Sequence, residues 1–217
     1  MIVRFLCCKS SYYLENALDL LTMMFRKIFF LFTCVAFALL SFAQSITAQK
    51  LSDAGLSIVN PAIVYDPAYV KLKYPGGDVP ANTGVCTDVV IRAYRKLGTD
   101  LQKEVHEDMK ANFGLYPKNW GRKTTDKNID HRRVPNLMVF FKRKGKVKPM
   151  TKHAEDYLPG DIVCWDLNGR QLHIGLVVNK KSSDGKRYLL VHNIGGGQVV
   201  EDILFAWKII GHYTYNI

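Results

Sequence analysis

The stretch that decides the reading is "NTGVCTDVVIRAYRKLG", residues 82–98. Cys86, Val90, Ala93 and Leu97 fall at i, i+4, i+7 and i+11, one face of a 3.6-residue period, while Arg92, Arg95 and Lys96 point elsewhere. The spacing predicts an amphipathic helix that begins at the cysteine and stops at Gly98. A thiol at a helix N-terminus meets unpaired backbone N–H groups and the positive end of the dipole, which favour thiolate. Gly84 allows close backbone approach just before it, and the same N–H groups can hold an oxyanion. The position suits a nucleophile, and a small buried core cysteine obeys the same periodicity.

The chain has 217 residues, 48% hydrophobic and 23% charged, a globular composition with room for one ordinary domain. Residues 1–43 read separately. In "MFRKIFFLFTCVAFALLSFAQ" the basic Arg26 and Lys27 precede an apolar run from Ile28 to Leu40, followed by small residues at Ser41 and Ala43. This is the pattern of a secretory signal peptide, with a run too short for the roughly 20 apolar residues of a membrane span. Met24 opens that pattern, so residues 1–23 read as an upstream extension from an early start. The expectation is an exported protein, periplasmic or extracellular, whose domain is 44–217 and which keeps no stable membrane anchor after signal cleavage.

Without the leader, 26 basic residues stand against 17 acidic. For an exported protein the matching anions are cell-wall polymers, lipid headgroups and acidic glycans. No helix or arm concentrates the charge and no nucleic-acid motif occurs, which excludes nucleic acid as the expected partner. Oligomeric state leaves no mark in the sequence. Of five cysteines, Cys7, Cys8 and Cys34 lie in the leader, leaving Cys86 and Cys164. In an oxidising compartment those two can form a disulfide, the structural alternative to a reactive thiol.

Residues 44–81 read as a lead-in with a short helix near 51–59 and then proline- and glycine-rich turns. Thr99 with Gln102 suggests a capping box ahead of a second helix, "LQKEVHEDMKANF". The polar connection 114–136 lacks periodicity, and loops of that length are more often functional than idle. The last third reads as strands: "LMVFFKRKG", "DIVCWDL", "QLHIGLVV", "RYLLVHNI" and "WKIIGHYTY", with hairpin turns at Asn168-Gly169 and Asp184-Gly185. Helices followed by an antiparallel sheet is the α+β pattern.

A nucleophilic thiol needs a base. His173 interrupts an apolar strand in which Leu172, Ile174, Leu176 and Val178 share one face, leaving His173 and Gly175 on the other. A turn centred on Asp184-Gly185 gives opposing residues an odd number sum, 369, so His173 and His192 share a face. That sum offsets them by four residues, whereas a bulge bringing it near 365 places them opposite. A lone strand histidine is ordinarily a satisfied core residue. Two on one face of a sheet favour a base with an orienting partner. Cys164 reads as a buried thiol, Asp161 as the fixing residue of the "LPGD" turn, and "NIGGGQ" fails as a phosphate loop because no helix follows. No H-E-x-x-H, H-x-H or C-x-x-C spacing occurs, so neither a metal nor another cofactor is expected.

The ordered set "GVCTDVV", "LPGDIVCW", "HIGLVV" and "VHNIG" resembles the NlpC-type cell-wall hydrolases of the papain-like superfamily. With "DHRRVPNL" and "GHYTY" it more particularly resembles the YijF-like bacterial family, a domain of unknown function, from about Tyr65 to Ile217. The resemblance implies a papain-like α+β fold, with Cys86 as nucleophile, His173 as base and His192 as the group that orients it. It also implies Tyr74, a dozen residues before the cysteine, near the scissile carbonyl. The usual D-C-S-G context is replaced by Val85-Cys86-Thr87-Asp88, which puts Asp88 in the first helical turn as an amine-recognising or dipole-complementing group. Asp130, His131, Arg132 and Arg133, in "IDHRR", are either a structural network or a substrate-side wall. The implied activity is hydrolysis of an amide in a cell-wall peptide through a Cys-His-His acyl-enzyme. The alternatives are a thiol acyltransferase or deacylase acting on another amide or lipid, and a non-catalytic cell-wall-binding module.

Overall fold

A computed structural model describes residues 22–34 and 47–215 of the chain. It divides into two compact units, Met1–Ser45 and Ile46–Ile217. The described part of the first is a helix over 22–34 with exposed side chains, and the cleavage-site residues of the expected signal peptide lie outside the described residues. Among the described residues no helix is long and apolar enough to cross a membrane.

The second unit is α+β. Its helices are α1 (47–57), α2 (Cys86–Lys96), α3 (Leu101–Ala111) and α4 (Val134–Lys144). A short parallel pair, β1 (Val64–Tyr65) with β2 (Thr83–Gly84), runs directly into α2. The main sheet holds β3 (Lys146–Val147), β4 (Ile162–Asp166), β5 (Leu172–Lys181), β6 (Tyr188–His192), β7 (Val199–Glu201) and β8 (Lys208–Thr214), in the order β3-β8-β4-β5-β6-β7, antiparallel throughout.

Alternation along the strands supplies two cores. Ile162, Cys164, Ile174, Leu176 and Val178 face α2, α3 and α4, meeting Val89, Val90, Tyr94, Leu101, Leu137, Phe140 and Phe141. Val163, Trp165, Val177 and Leu190 face the other way, onto Tyr157, Ile203 and Leu204 from the irregular segments. Burying both faces explains why β4 and β5 are almost uninterruptedly apolar.

Three local expectations change. Residues 137–144, expected as strand, belong to α4: Val134, Leu137 and Phe141 are buried at i, i+3 and i+7, and Pro135 sits in the first turn, where its missing N–H costs nothing. The expected helix near 51–59 occupies 47–57. The N-cap of α3 is Asp100, whose carboxylate accepts from Gln102 N–H at 3.1 Å, and not Thr99. Gln102 turns its amide instead to Lys73 O, Lys127 O and Gly77 N–H. The turn at Asn168-Gly169 forms as expected, with both residues at positive φ (58° and 76°). Asp161 fixes its turn by accepting from Leu158 N–H at 2.8 Å and also bonds His212 at 2.8 Å.

Candidate active site

Val85 caps α2 in extended backbone (φ −116°, ψ −177°), and Cys86 is the first helical residue. The entry angle is held by Asp88, whose carboxylate accepts the Val85 N–H at 2.7 Å. Asn193 donates to Gly84 O at 3.1 Å, tying the end of β6 to the residue before that cap. Cys86 is 3% exposed. Amides of Ile174, Thr87 and Cys86 itself face the sulfur and lower its pKa, but burial outweighs them and pushes the thiol up to about 12. The expected lowering by the helix terminus is thus overcome by desolvation, and the resting group is a thiol. Cys86 and Cys164 are both free.

His173 and His192 share a sheet face. At the turn end Lys181 pairs with Tyr188, a sum of 369; a bulge then shifts the register so that Val177 pairs with Leu190 and Leu176 with Val191, a sum of 367. His192 therefore lies diagonal to His173, across from Gly175. Their rings meet edge to face, and His173 Nε2 is 3.0 Å from His192 Nδ1. A Cβ at Gly175 would stand 3.3 Å from the Trp165 ring, so the glycine leaves the indole room to stack on His173 at 5.6 Å. Trp165 is itself fixed by donating to Leu204 O at 3.0 Å. His192 Nε2 then reaches Glu201 Oε2 at 2.8 Å. Burial drives His173 down to about 3, with the His192 charge adding to the effect; burial also lowers His192, against the pull of Glu201.

Cys86 packs with Cys164, Ile174 and Leu176 on the helix-covered face of the sheet, whereas His173 stacks on Trp165 on the opposite face. The structure does not bring the expected nucleophile and base together, and among the described hydrogen bonds none joins them. Cys86 opens onto a cavity of about 530 Å³ walled by Tyr65, Trp120, Arg132, Arg133, Arg170 and Leu172, among others. The histidine rings are buried and do not line it. The loop 114–136 does border it, through Asn119, Trp120, Ile129, Arg132 and Arg133.

The expected substrate residues divide. Arg132 and Arg133 face the cavity. Arg132 is also committed to Asp88 by a bidentate pair, Nε–Oδ1 and Nη2–Oδ2 both 2.9 Å, with each side chain 2% exposed. Asp88 is consumed by that pair and the helix cap, so it has no free face for an amine. Arg133 stacks 3.6 Å over Trp120 and its Nε is unpartnered. Arg170 makes no ion pair among the described residues, and Asp166, the one carboxylate on the wall, accepts from Gly169 N–H. Asp130 and His131 do not reach the cavity: the 3-10 turn Asp130–Arg132 buries both, and burial pushes Asp130 up to about 6 and His131 down to about 3. Tyr74 also stands outside, edge-on to His106 at 5.2 Å. The tyrosine on the wall is Tyr65, whose hydroxyl accepts from Gln171 at 3.0 Å and whose ionisation is opposed first by burial and then by the nearby Cys86. It lies on β1, placed by pairing with β2 just ahead of the cysteine rather than by a fixed spacing.

Glu201 and Tyr65 were not evident in the sequence. The triple glycine 195–197 was the usable signal for Glu201: it marks a hairpin whose register, Leu190↔Glu201 and His192↔Val199, sets Glu201 on the histidine face. Among the described residues no cluster of three or more His, Cys, Asp or Glu has the arrangement of a metal site.

Residues 52–215 match the family described as "Domain of unknown function (DUF1287)". The chain is 51% identical over 174 residues, 80% of its length, to "Uncharacterized protein YijF" of Escherichia coli (strain K12), covering 84% of that protein. No solved structure matches the chain significantly.

Proposed function

The chain belongs to the DUF1287 family, whose description assigns no activity, and from its site we propose that it is an exported, papain-like cysteine hydrolase acting on an amide of a carboxylate-bearing peptide, such as a cell-wall peptide. One observation carries the reading. A cysteine at the first position of a helix opens onto a cavity walled by arginines. In this reading Cys86 attacks the carbonyl while His173 takes the thiol proton, a transfer that requires β5 to rearrange, because the resting His173 ring lies on the sheet face opposite Cys86. The histidinium then gives that proton to the leaving amine, and water, deprotonated by His173, releases the acyl group from sulfur. His192 orients the base. The free N–H groups at the start of α2 receive the developing oxyanion. Arg133 and Arg170, cationic and without an ion pair among the described residues, favour an acidic substrate over a neutral or cationic one.

A second reading has its own support. The buried, neutral thiol with no hydrogen bond to His173 favours a module that binds the same acidic peptide without turning it over. Incubating the protein with purified peptidoglycan and following fragments by mass spectrometry separates the two. The hydrolase releases peptide fragments, lost in Cys86→Ala; co-sedimentation with intact wall and no fragments would replace it with the binding module. An added amine that appears in the product would shift the reading to an acyltransferase.

A further inference from the structure

The hydrogen-bond chain that starts at His173 does not end at His192. We infer that Glu201 is a positioning residue that sets the tautomers of both histidines and leaves His173 Nδ1 unprotonated. The inference rests on the reading of Cys86 and His173 given above, but its geometry is independent of any substrate.

An ionised carboxylate only accepts hydrogen bonds. With Glu201 Oε2 at 2.8 Å, the proton on His192 sits on Nε2, donated to the carboxylate. A neutral imidazole carries one N–H, so His192 Nδ1 is an acceptor. The partner at 3.0 Å is His173 Nε2, which must then be the donor. His173 Nδ1 is left with a lone pair and, among the described hydrogen bonds, no partner. The direction of the chain is thus dictated from its far end.

Three strands, β5, β6 and β7, contribute one member each, and the β6–β7 register places Glu201 two residues from the partner of His192 on the same face. The other groups around the rings are uncharged: Trp165 from β4 stacks on His173, and Trp207, ahead of β8, meets it edge-on at 6.0 Å. The titratable group that acts on the pair is Glu201, whose charge is felt by His192, while His173 feels that of His192; Cys86 lies on the other face of β5. Both rings are buried, whereas the Glu201 side chain is half exposed. The carboxylate is the only member in contact with bulk water and supplies the negative charge that an imidazolium here would need.

The test uses the full protein labelled with ¹⁵N-histidine, at a pH where both rings are neutral. Imidazole ¹⁵N shifts should show His173 and His192 as Nε2–H tautomers in the native protein. Glu201→Ala should give tautomer mixtures at both. Glu201→Gln retains an acceptor for His192 Nε2 and should keep both tautomers while losing the charge, which separates the hydrogen bond from the charge. Native His192 found as Nδ1–H would overturn the inference. So would a Glu201→Ala variant with a lowered melting temperature and native tautomers, which is the signature of a purely structural role. If Cys86→Ala leaves release of peptidoglycan fragments intact, the hydrolase reading fails, while the tautomer measurement still decides the role of Glu201.

Discussion

Replacing Arg132 by methionine should cost far more stability than its place on a cavity wall suggests. The Asp88–Arg132 pair has both N–O distances at 2.9 Å and both side chains 2% exposed. Removing the guanidinium leaves the Asp88 carboxylate buried with the Val85 N–H as its remaining donor. It also removes donors from Ala68 O (3.2 Å) and Asp66 O (3.4 Å). Breaking a buried ion pair by deleting one partner costs about 3–5 kcal/mol. For a domain of this size that corresponds to a melting temperature lower by roughly 6–20 °C. Replacing both partners, as in Asp88→Asn with Arg132→Met, removes the stranded charge and should recover much of the loss. Arg133→Ala is the control: its stacking on Trp120 is worth about 0.5–1 kcal/mol, so its effect should appear in binding of an acidic peptide. Urea denaturation of the native protein, Arg132→Met, Asp88→Asn and the double variant at neutral pH measures the cycle. An Arg132→Met loss below about 1 kcal/mol, or a double variant less stable than the sum of the singles, would refute the reasoning.

Acid should destabilise the fold well above the usual carboxylate range. His131 and His173 are held down to about 3, so their contribution is complete above about pH 6.5 and is lost as pH falls toward 3. Asp130, raised to about 6, acts in the opposite sense between about pH 6 and 4, leaving a net uptake near one proton, or about 1.4 kcal/mol per pH unit. Urea midpoints at pH 6.5, 5.5 and 4.5 check this, and His131→Gln should flatten the slope; a flat native profile would contradict it. Thiol titration should find both Cys86 and Cys164 free but slow to react until denaturant is added, whereas a disulfide would leave neither.

What was legible in the sequence was whatever depends on parity and periodicity. The 3.6-residue spacing from Cys86 to Leu97 located α2 and its first residue. Alternation in "LHIGLVV" and an odd register sum put His173 and His192 on one face, and the bulge moved the sum by two without changing its parity. What stayed hidden depends on tertiary context. The helical spacing of Val134, Leu137 and Phe141 is masked by a β-prone composition, "LMVFF", and only packing against the sheet selects helix. Asp88 and Arg132 lie 44 residues apart, and no local pattern announces that they pair. Tyr74 had the right separation from the cysteine, yet Tyr65 reaches the cavity because β1 pairs in parallel with β2. The thiol's elevated pKa follows from complete burial, which a helix-terminus argument cannot anticipate.

Burial also sets the condition that any acyl-transfer chemistry here must meet. Thiolate alone is disfavoured at Cys86, and imidazolium alone is disfavoured at His173, each chiefly by desolvation. Moving a proton from one to the other creates no net charge, so the cost falls only when the two charges form together and near each other, which the resting arrangement on opposite sheet faces does not provide. The Ile174, Thr87 and Cys86 amides oppose part of the cost on the sulfur side. Glu201, 2.8 Å from His192, opposes part of it on the histidine side. Neither contribution outweighs burial in the resting protein. On the hydrolase reading, the remainder has to come from a bound substrate whose carbonyl captures the sulfur's charge as it develops, the form of catalysis in which interactions strengthen only in the transition state. On that reading the site stays unreactive toward small electrophiles with Cys86 unpaired, and substrate occupying the arginine-walled cavity is what must bring sulfur and base together.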